Sequence, residues 1–178
     1  MKELSLNILD IAMNSVKANS KNIEITLDED DDKLVFTITD DGCGMSEDTV
    51  KKVTSPFVTS RTTRKVGMGI PFLVLAAEQT GGSVKITSQP GKGTTVRAEF
   101  IKHNIDYTPL GDITSTIITL INGSPDIDFI FRHNMTDRVI FFSTKDIRKV
   151  LGDVPLSNAE VITFLKEYLS DQYEGNPG

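Results

Sequence analysis

Residues 33–45 read Lys-Leu-Val-Phe-Thr-Ile-Thr-Asp-Asp-Gly-Cys-Gly-Met. Leu34, Phe36 and Ile38 recur at every second position, the period of a half-buried strand. The strand is expected to run from Lys33 to Asp40 and to stop at Asp40-Asp41-Gly42, a good turn sequence. Asp40 would then leave the sheet edge pointing into a cavity. A carboxylate there can accept a hydrogen bond from an exocyclic amine, and Gly42 and Gly44 let backbone approach a flat ring closely. In isolation the same residues read equally well as a solvated turn.

Upstream of this stretch, Ile23, Ile25 and Leu27 alternate with Glu24 and Thr26 and predict a partner strand over 23–28. The run Asp28-Glu29-Asp30-Asp31-Asp32 between the strands lacks the glycine and distal glutamate of a calcium loop and reads as a solvated hairpin turn. Further upstream, Leu4, Ile8, Ile11, Ala12 and Ser15 fall at helical spacing, so 4–18 reads as an amphipathic helix. Asn7, Asp10, Asn14 and Lys17 share another of its faces. An acid, an amide and an amine on adjacent turns can converge on one ligand. An Asn oxygen suits Mg²⁺, which takes few protein ligands and keeps water and phosphate oxygens, and a lysine one turn on can meet phosphate charge. Taken alone, this is also an ordinary exposed helix face.

Downstream, Ser46 would cap a short helix to Val53, with Glu47 and Asp48 in its first turn. Residues 54–66 show no periodicity and read as a mobile loop. Gly67-Met68-Gly69-Ile70 opens a mostly apolar helix to Gln79. Free N–H groups at a helix start bind anions. The pair is no dinucleotide-binding turn, because no strand precedes it and the third glycine is missing. Two strands, 82–88 and 94–101, would follow as a hairpin around Pro90-Gly91-Lys92-Gly93.

Five segments stand in a fixed order: Asp10 to Lys17, Asp40 to Gly44, Ser55 to Arg61 with Pro56-Phe57 and Thr59, Gly67-Met68-Gly69, and Gly91 to Thr94. In this order they resemble the GHKL ATPase superfamily, and within it the ATP-binding domain of bacterial histidine kinases, over roughly residues 3 to 101. They correspond to its N, G1, F and G2 boxes and its last glycine-rich turn. The resemblance implies an α+β fold: a two-layer α/β sandwich with a mixed, mostly antiparallel sheet and helices on one face. It implies ATP and Mg²⁺ as ligands. Asn14 would hold Mg²⁺ bridging the phosphates, and Asp40 would accept from the adenine amino group with Gly42 and Gly44 lining the ring. Residues 55–66 would form the ATP lid, and Gly67 and Gly69 would hinge it and offer N–H groups to phosphate. Thr94 would support Asp40 or a bridging water. Lys17, with Arg61, Arg64 and Lys65 of the lid, would meet phosphate oxygens. Met45, Phe57, Thr59, Met68 and Ile70 belong to the same boxes and complete the expected ATP site.

Asp10 is the expected catalytic residue, and there this sequence departs from the family, which usually has glutamate. The shorter side chain weakens the case for turnover more than that for binding. A histidine kinase also carries a phosphoacceptor histidine on a helical dimerisation domain before the ATP domain. Here the N box begins almost at Met1, and neither His103 nor His133 has the helical pattern followed by an acid; both read as structural. Cys43 reads as a small residue that fits between two glycines. As the single cysteine, it excludes an internal disulfide framework.

A break near 103–109 divides an expected ATP-binding domain, 1–102, from a small α/β extension, 103–178. The extension is expected to hold a helix over 110–121, strands over 128–132 and 138–142, and helices over 145–151 and 158–169, the last capped by Ser157 with Glu160 in a capping box. The net charge of −6 argues against a nucleic-acid or membrane-surface partner. No apolar run approaches the ~20 residues of a membrane span. A cytoplasmic location is the reading that follows. The expected function is phosphorylation or ATP-driven regulation of a separate partner protein. The alternatives are an ATP sensor with little turnover, a serine kinase of the anti-sigma-factor kind, and an ATPase clamp that homodimerises on ATP.

Overall fold

The computed structural model describes residues 3–55 and 68–175. Chain order is α1 (Leu4–Lys17), β1 (Asn22–Glu29), β2 (Lys33–Asp40), α2 (Glu47–Thr54), α3 (Gly69–Gln79), β3 (Ser83–Gln89), β4 (Gly93–Ile101), α4 (Ile113–Gly123), β5 (Asp128–Asn134), β6 (Val139–Ser143), α5 (Thr144–Leu151) and α6 (Ala159–Tyr173). The strands form one sheet in the order β3-β4-β2-β1-β5-β6. Every pairing is antiparallel except β1 with β5. The fold is thus α+β, with a mixed, mostly antiparallel sheet.

Alternation fixes which face is covered. β1 buries Ile23, Ile25 and Leu27, β2 buries Leu34, Phe36 and Ile38, and β4 buries Val96, Ala98 and Phe100. Between them Glu24, Thr39 and Arg97 stay exposed. α1 answers with Leu4, Ile8, Ile11 and Ala12, α3 with Ile70, Leu73 and Ala77, and α4 with Ile117, Leu120 and Ile121, all in one cluster. Each such Val, Leu, Ile or Phe side chain contributes about 1.5–3 kcal/mol by leaving water. Phe36 and Phe100 stack within it, centroids 5.9 Å apart.

Residues beyond 102 prolong this sheet. β5 lies parallel to β1, Ile23 opposite Phe129 and Leu27 opposite His133, and β6 follows as a hairpin. Phe129, Phe131, Ile140 and Phe142 carry the core outward, where α6 adds Val161, Leu165 and Leu169. The acidic run is a hairpin turn, in which the Asp30 carboxylate accepts from the N–H groups of Asp32 and Lys33. Glu29 corrects the expectation that the whole run is solvated. It accepts from His133 at 2.8 Å and pairs with Lys102 at 2.6 Å.

Two other expectations are corrected. The α6 cap is Asn158, whose Oδ1 accepts from the N–H groups of Glu160 and Val161; the helix begins one residue later than a Ser157 cap requires. On the polar face of α1, Asn7 is buried, because it lies nearer the apolar stripe than Asp10 or Lys17.

Candidate functional site

The last turns of α1 and the end of β2 meet around one carboxylate. Asp40 closes β2 and is buried. Its Oδ2 accepts from the Ser15 hydroxyl at 2.5 Å. Its Oδ1 accepts from Gly42 N–H at 2.9 Å and Thr94 N–H at 3.2 Å. An ionised carboxylate offers about four acceptor positions, so three internal donors leave one. Asp41 faces the other way: its carboxylate accepts from the N–H groups of Lys21 and Asn22 and from the Asn22 amide, pinning the start of β1.

The loop after Asp40 is clamped on both sides. Cys43 N–H donates to Ala18 C=O at 2.9 Å, and Gly91 N–H donates to Cys43 C=O at 2.7 Å. Met45 N–H donates to Ser88 Oγ at 2.8 Å, and that hydroxyl also bonds Gly93 C=O and Thr94 Oγ1. A Cβ on Gly42 would stand 2.7 Å from the Ala18 and Ser20 side chains, so only glycine fits against the end of α1. Gly44 has φ +70°, and a Cβ there would meet Gln89 C=O at 1.9 Å.

Asn14 is half-buried beside Ser15, and its side-chain Nδ2 is buried without a partner among the described residues. Such an orphan costs free energy unless something answers it. Asp10, one turn earlier, is exposed, and no hydrogen bond or ion pair holds its carboxylate among the described residues. The start of α3 reaches it: a Cβ on Gly69 would lie 3.3 Å from Asp10 Cβ. Lys17 and Met68 are exposed, and Met45 is half-buried against the core. Ile70 is fully part of the core. Thus Asp10, Asn14, Asp40, Gly42, Gly44, Gly69 and Thr94 adjoin along one path over α1, β2, β4 and α3. Phe57, Thr59, Gly67 and the basic residues Arg61, Arg64 and Lys65 lie outside the described residues.

The sequence pattern described as "Histidine kinase-, DNA gyrase B-, and HSP90-like ATPase" matches residues 1–104, more than half of the chain. The chain belongs to this family. It therefore carries an ATP-binding domain of the histidine-kinase type. It is similar to Sporulation kinase E of Bacillus subtilis (strain 168), 33% identical over 95 residues, which are 53% of this chain and 13% of that protein. Sensor histidine kinase YxdK of the same organism is 29% identical over 107 residues, 56% of this chain and 33% of that protein. Sensor histidine kinase ZraS of Escherichia coli (strain K12) is 28% identical over 90 residues, 49% of this chain and 19% of that protein. The chain thus spans a third or less of these relatives. A solved structure described as the N-terminal domain of a DNA repair protein superposes with TM-score 0.58 at 15% identity, covering 86% of this chain and 58% of that one. That coverage exceeds the 104 residues of the family pattern, so at least part of the chain beyond residue 104 shares the fold.

Sequence reasoning missed Ser15 and Ser88. Ser15 sits on the apolar stripe of α1 and reads as core, while Ser88 ends an alternating strand. Each is recognisable only once Asp40 and the loop after it are in place. Among the described residues no cluster of three His, Cys, Asp or Glu can hold a metal, and no helix is long and apolar enough to cross a membrane.

Proposed function

We propose that this chain binds Mg-ATP through Asp10, Asn14, Lys17, Asp40, Gly42, Gly44, Gly69 and Thr94, and uses it to phosphorylate or regulate a separate protein. One observation carries the reading. A buried carboxylate with three internal donors keeps one acceptor position, next to a loop that only glycine backbone can form. That position suits an adenine amino group. The donor set also fits Mg²⁺. The orphaned Nδ2 of Asn14 is a donor and suits a phosphate oxygen, which leaves Oδ1 of the same amide as the atom that would face Mg²⁺, a metal that keeps water and phosphate oxygens and needs few protein ligands. Bound Mg²⁺ would neutralise phosphate charge, while this chain positions the nucleotide, which is most of what phosphoryl transfer asks of a protein. The N–H groups at the start of α3 face the same region as Asp10 and suit a terminal phosphate.

Calorimetry with ATP, with and without Mg²⁺, tests the assignment. Wild type should bind more tightly with Mg²⁺, and Asn14→Ala should lose that gain while keeping its fold. Equal Mg-ATP affinity in the two proteins would remove Asn14 from the site. A second reading, an ATP sensor with little turnover, is favoured by the unheld carboxylate of Asp10. Radiolabelled ATP with cell lysate separates the two, since a kinase labels a partner and a sensor labels nothing.

A further inference from the structure

At the far end of the sheet from β3, an apolar trough of about 640 Å³ opens between β6, α5 and α6. Its walls are Phe141 and Phe142 from β6, Ile147 and Val150 from α5, and Phe164 and Tyr168 from α6. Single exposed apolar residues are ordinary, but a contiguous set marks an interaction surface. Val150 is 87% exposed, Phe164 60% and Tyr168 45%. α5 fully buries only Thr144; Ile147 and Leu151 rest half-buried on the core, and Val150 between them has no cover among the described residues. α6 buries Val161, Leu165 and Leu169, yet Phe164 and Tyr168 stack on each other outside the core, centroids 6.2 Å apart. The apolar surface of α6 is therefore wider than this chain uses.

The charges at the trough select its occupant. Among the described residues its only acidic or basic lining side chains are Asp146 and Glu160; Arg132 lies over the Phe141 ring at 4.8 Å and pairs with neither acid. Asp146 meets Lys149 at 3.8 Å across an exposed gap, an arrangement worth little in water. Glu160 has no ion pair among the described residues. A second copy of this chain carries the same net charge of −6, so two copies repel on approach where a basic partner is attracted. We propose that the trough docks a basic amphipathic helix of a partner protein, with two or three large apolar side chains in the trough and Lys or Arg beside Glu160 and Asp146. Two helices walling a groove give side chains at i, i+3 or i+4, and i+7 a place to interdigitate. The proposal stands apart from the ATP site, because Asp40 lies on β2 and two strands, β1 and β5, separate β2 from β6.

The test uses the full chain and two labelled amphipathic peptides of about 18 residues with the same leucine spacing, one Leu/Lys and one Leu/Glu. By fluorescence anisotropy, wild type should bind the Leu/Lys peptide at least roughly tenfold more tightly than the Leu/Glu peptide. Val150→Asp and Phe164→Asp should each weaken Leu/Lys binding by about tenfold or more. Both residues are largely exposed, so the fold should survive, as circular dichroism checks. Glu160→Lys should narrow the preference between the peptides. Equal binding of both peptides, or Leu/Lys binding indifferent to Val150→Asp and Phe164→Asp, overturns the proposal. So does sedimentation showing a wild-type dimer that Val150→Asp dissociates, which assigns the trough to a second copy.

Discussion

The carboxylate of Asp40 accepts three hydrogen bonds from within the protein, so its orientation is settled before any ligand arrives. Asp40→Asn turns one acceptor into a donor, and either the Ser15 hydroxyl or the ligand amine then faces an N–H₂ group. An unanswered buried polar group costs roughly 1–3 kcal/mol, or about 5- to 150-fold in affinity. Calorimetry should show ATP affinity reduced within that range; unchanged affinity would place the adenine elsewhere. Ser15→Ala removes a charge-assisted hydrogen bond and should lower stability by about 1.5–3 kcal/mol in urea unfolding, with ATP affinity falling as well. If stability falls and affinity does not, Ser15 is structural and does not position Asp40 for the ligand. Asp10→Ala should behave differently, since Asp10 is exposed and held by nothing among the described residues. ATP affinity should stay within a few-fold, while any hydrolysis or transfer falls by roughly 10²–10⁴, the worth of a positioned general base. Turnover equal to wild type would make Asp10 a solvated helix residue. Of these three residues, Asp10 and Asp40 stand out in the sequence, Asp10 on the polar face of α1 and Asp40 at the end of an alternating strand. Ser15 continues the apolar stripe of α1, and its partner lies 25 residues away, a distance that periodicity does not span.

At the scale of elements, the sequence located helices and strands within a few residues, because each buries one face and alternates accordingly. α3 runs from Gly69 to Gln79 as its apolar pattern predicts, and Ser46 caps α2 by accepting from Thr49 N–H. The start of α6 was harder to read. Ser157 with Glu160 satisfies the spacing of a capping box, but the neighbouring Asn158 is an equally good cap and takes both free N–H groups. Asn158→Ala should therefore cost about 0.5–2 kcal/mol, and Ser157→Ala close to none, in chemical denaturation. The reverse order would restore the cap to Ser157. In the loop after β2, Gly44→Ala should cost more than the roughly 1–2 kcal/mol of a left-handed alanine, because the new Cβ also meets Gln89 C=O. The loop that receives Gln89 would shift with it, so ATP affinity should fall together with stability. A variant with wild-type melting temperature would show that the loop yields without cost.

For the whole molecule, the step the sequence did not reveal is the parallel pairing of β5 with β1. Alternation tells that a strand has one buried face, not which neighbour it takes, and the two strands are about a hundred residues apart. A polar cluster tightens that junction. Glu29 of β1 accepts from His133 of β5 at Nε2, and Lys102 after β4 pairs with its other oxygen. The other ring nitrogen of His133, Nδ1, bonds the Tyr173 hydroxyl of α6 at 2.8 Å. Burial, with the Glu29 charge adding, pushes the Tyr173 hydroxyl up and that of Tyr107 to about 12. The hydrogen bond from His133 outweighs burial at Glu29 and, with Lys102, holds its carboxyl at about 2, against an ordinary 4.5. The folded protein therefore binds that proton more weakly than the unfolded chain does. Glu29 thus contributes its full stabilisation above about pH 4.5 and loses it as pH falls toward 2. Glu29→Gln should be less stable than wild type at neutral pH, having lost an ionised partner for Lys102 and His133. Its deficit should shrink through that acid window, because only the wild type has this charge to lose. Asp30 and Asp112 also titrate low, Asp30 through backbone N–H donors and Asp112 through Ser115, so the informative quantity is the difference between the two proteins at each pH. Urea midpoints measured from neutral pH downward give it. Curves that stay parallel from pH 7 into the acid range would mean that Glu29 does not tie the extension to the sheet through its charge, leaving the parallel strand pairing and the apolar core to hold β5 alone.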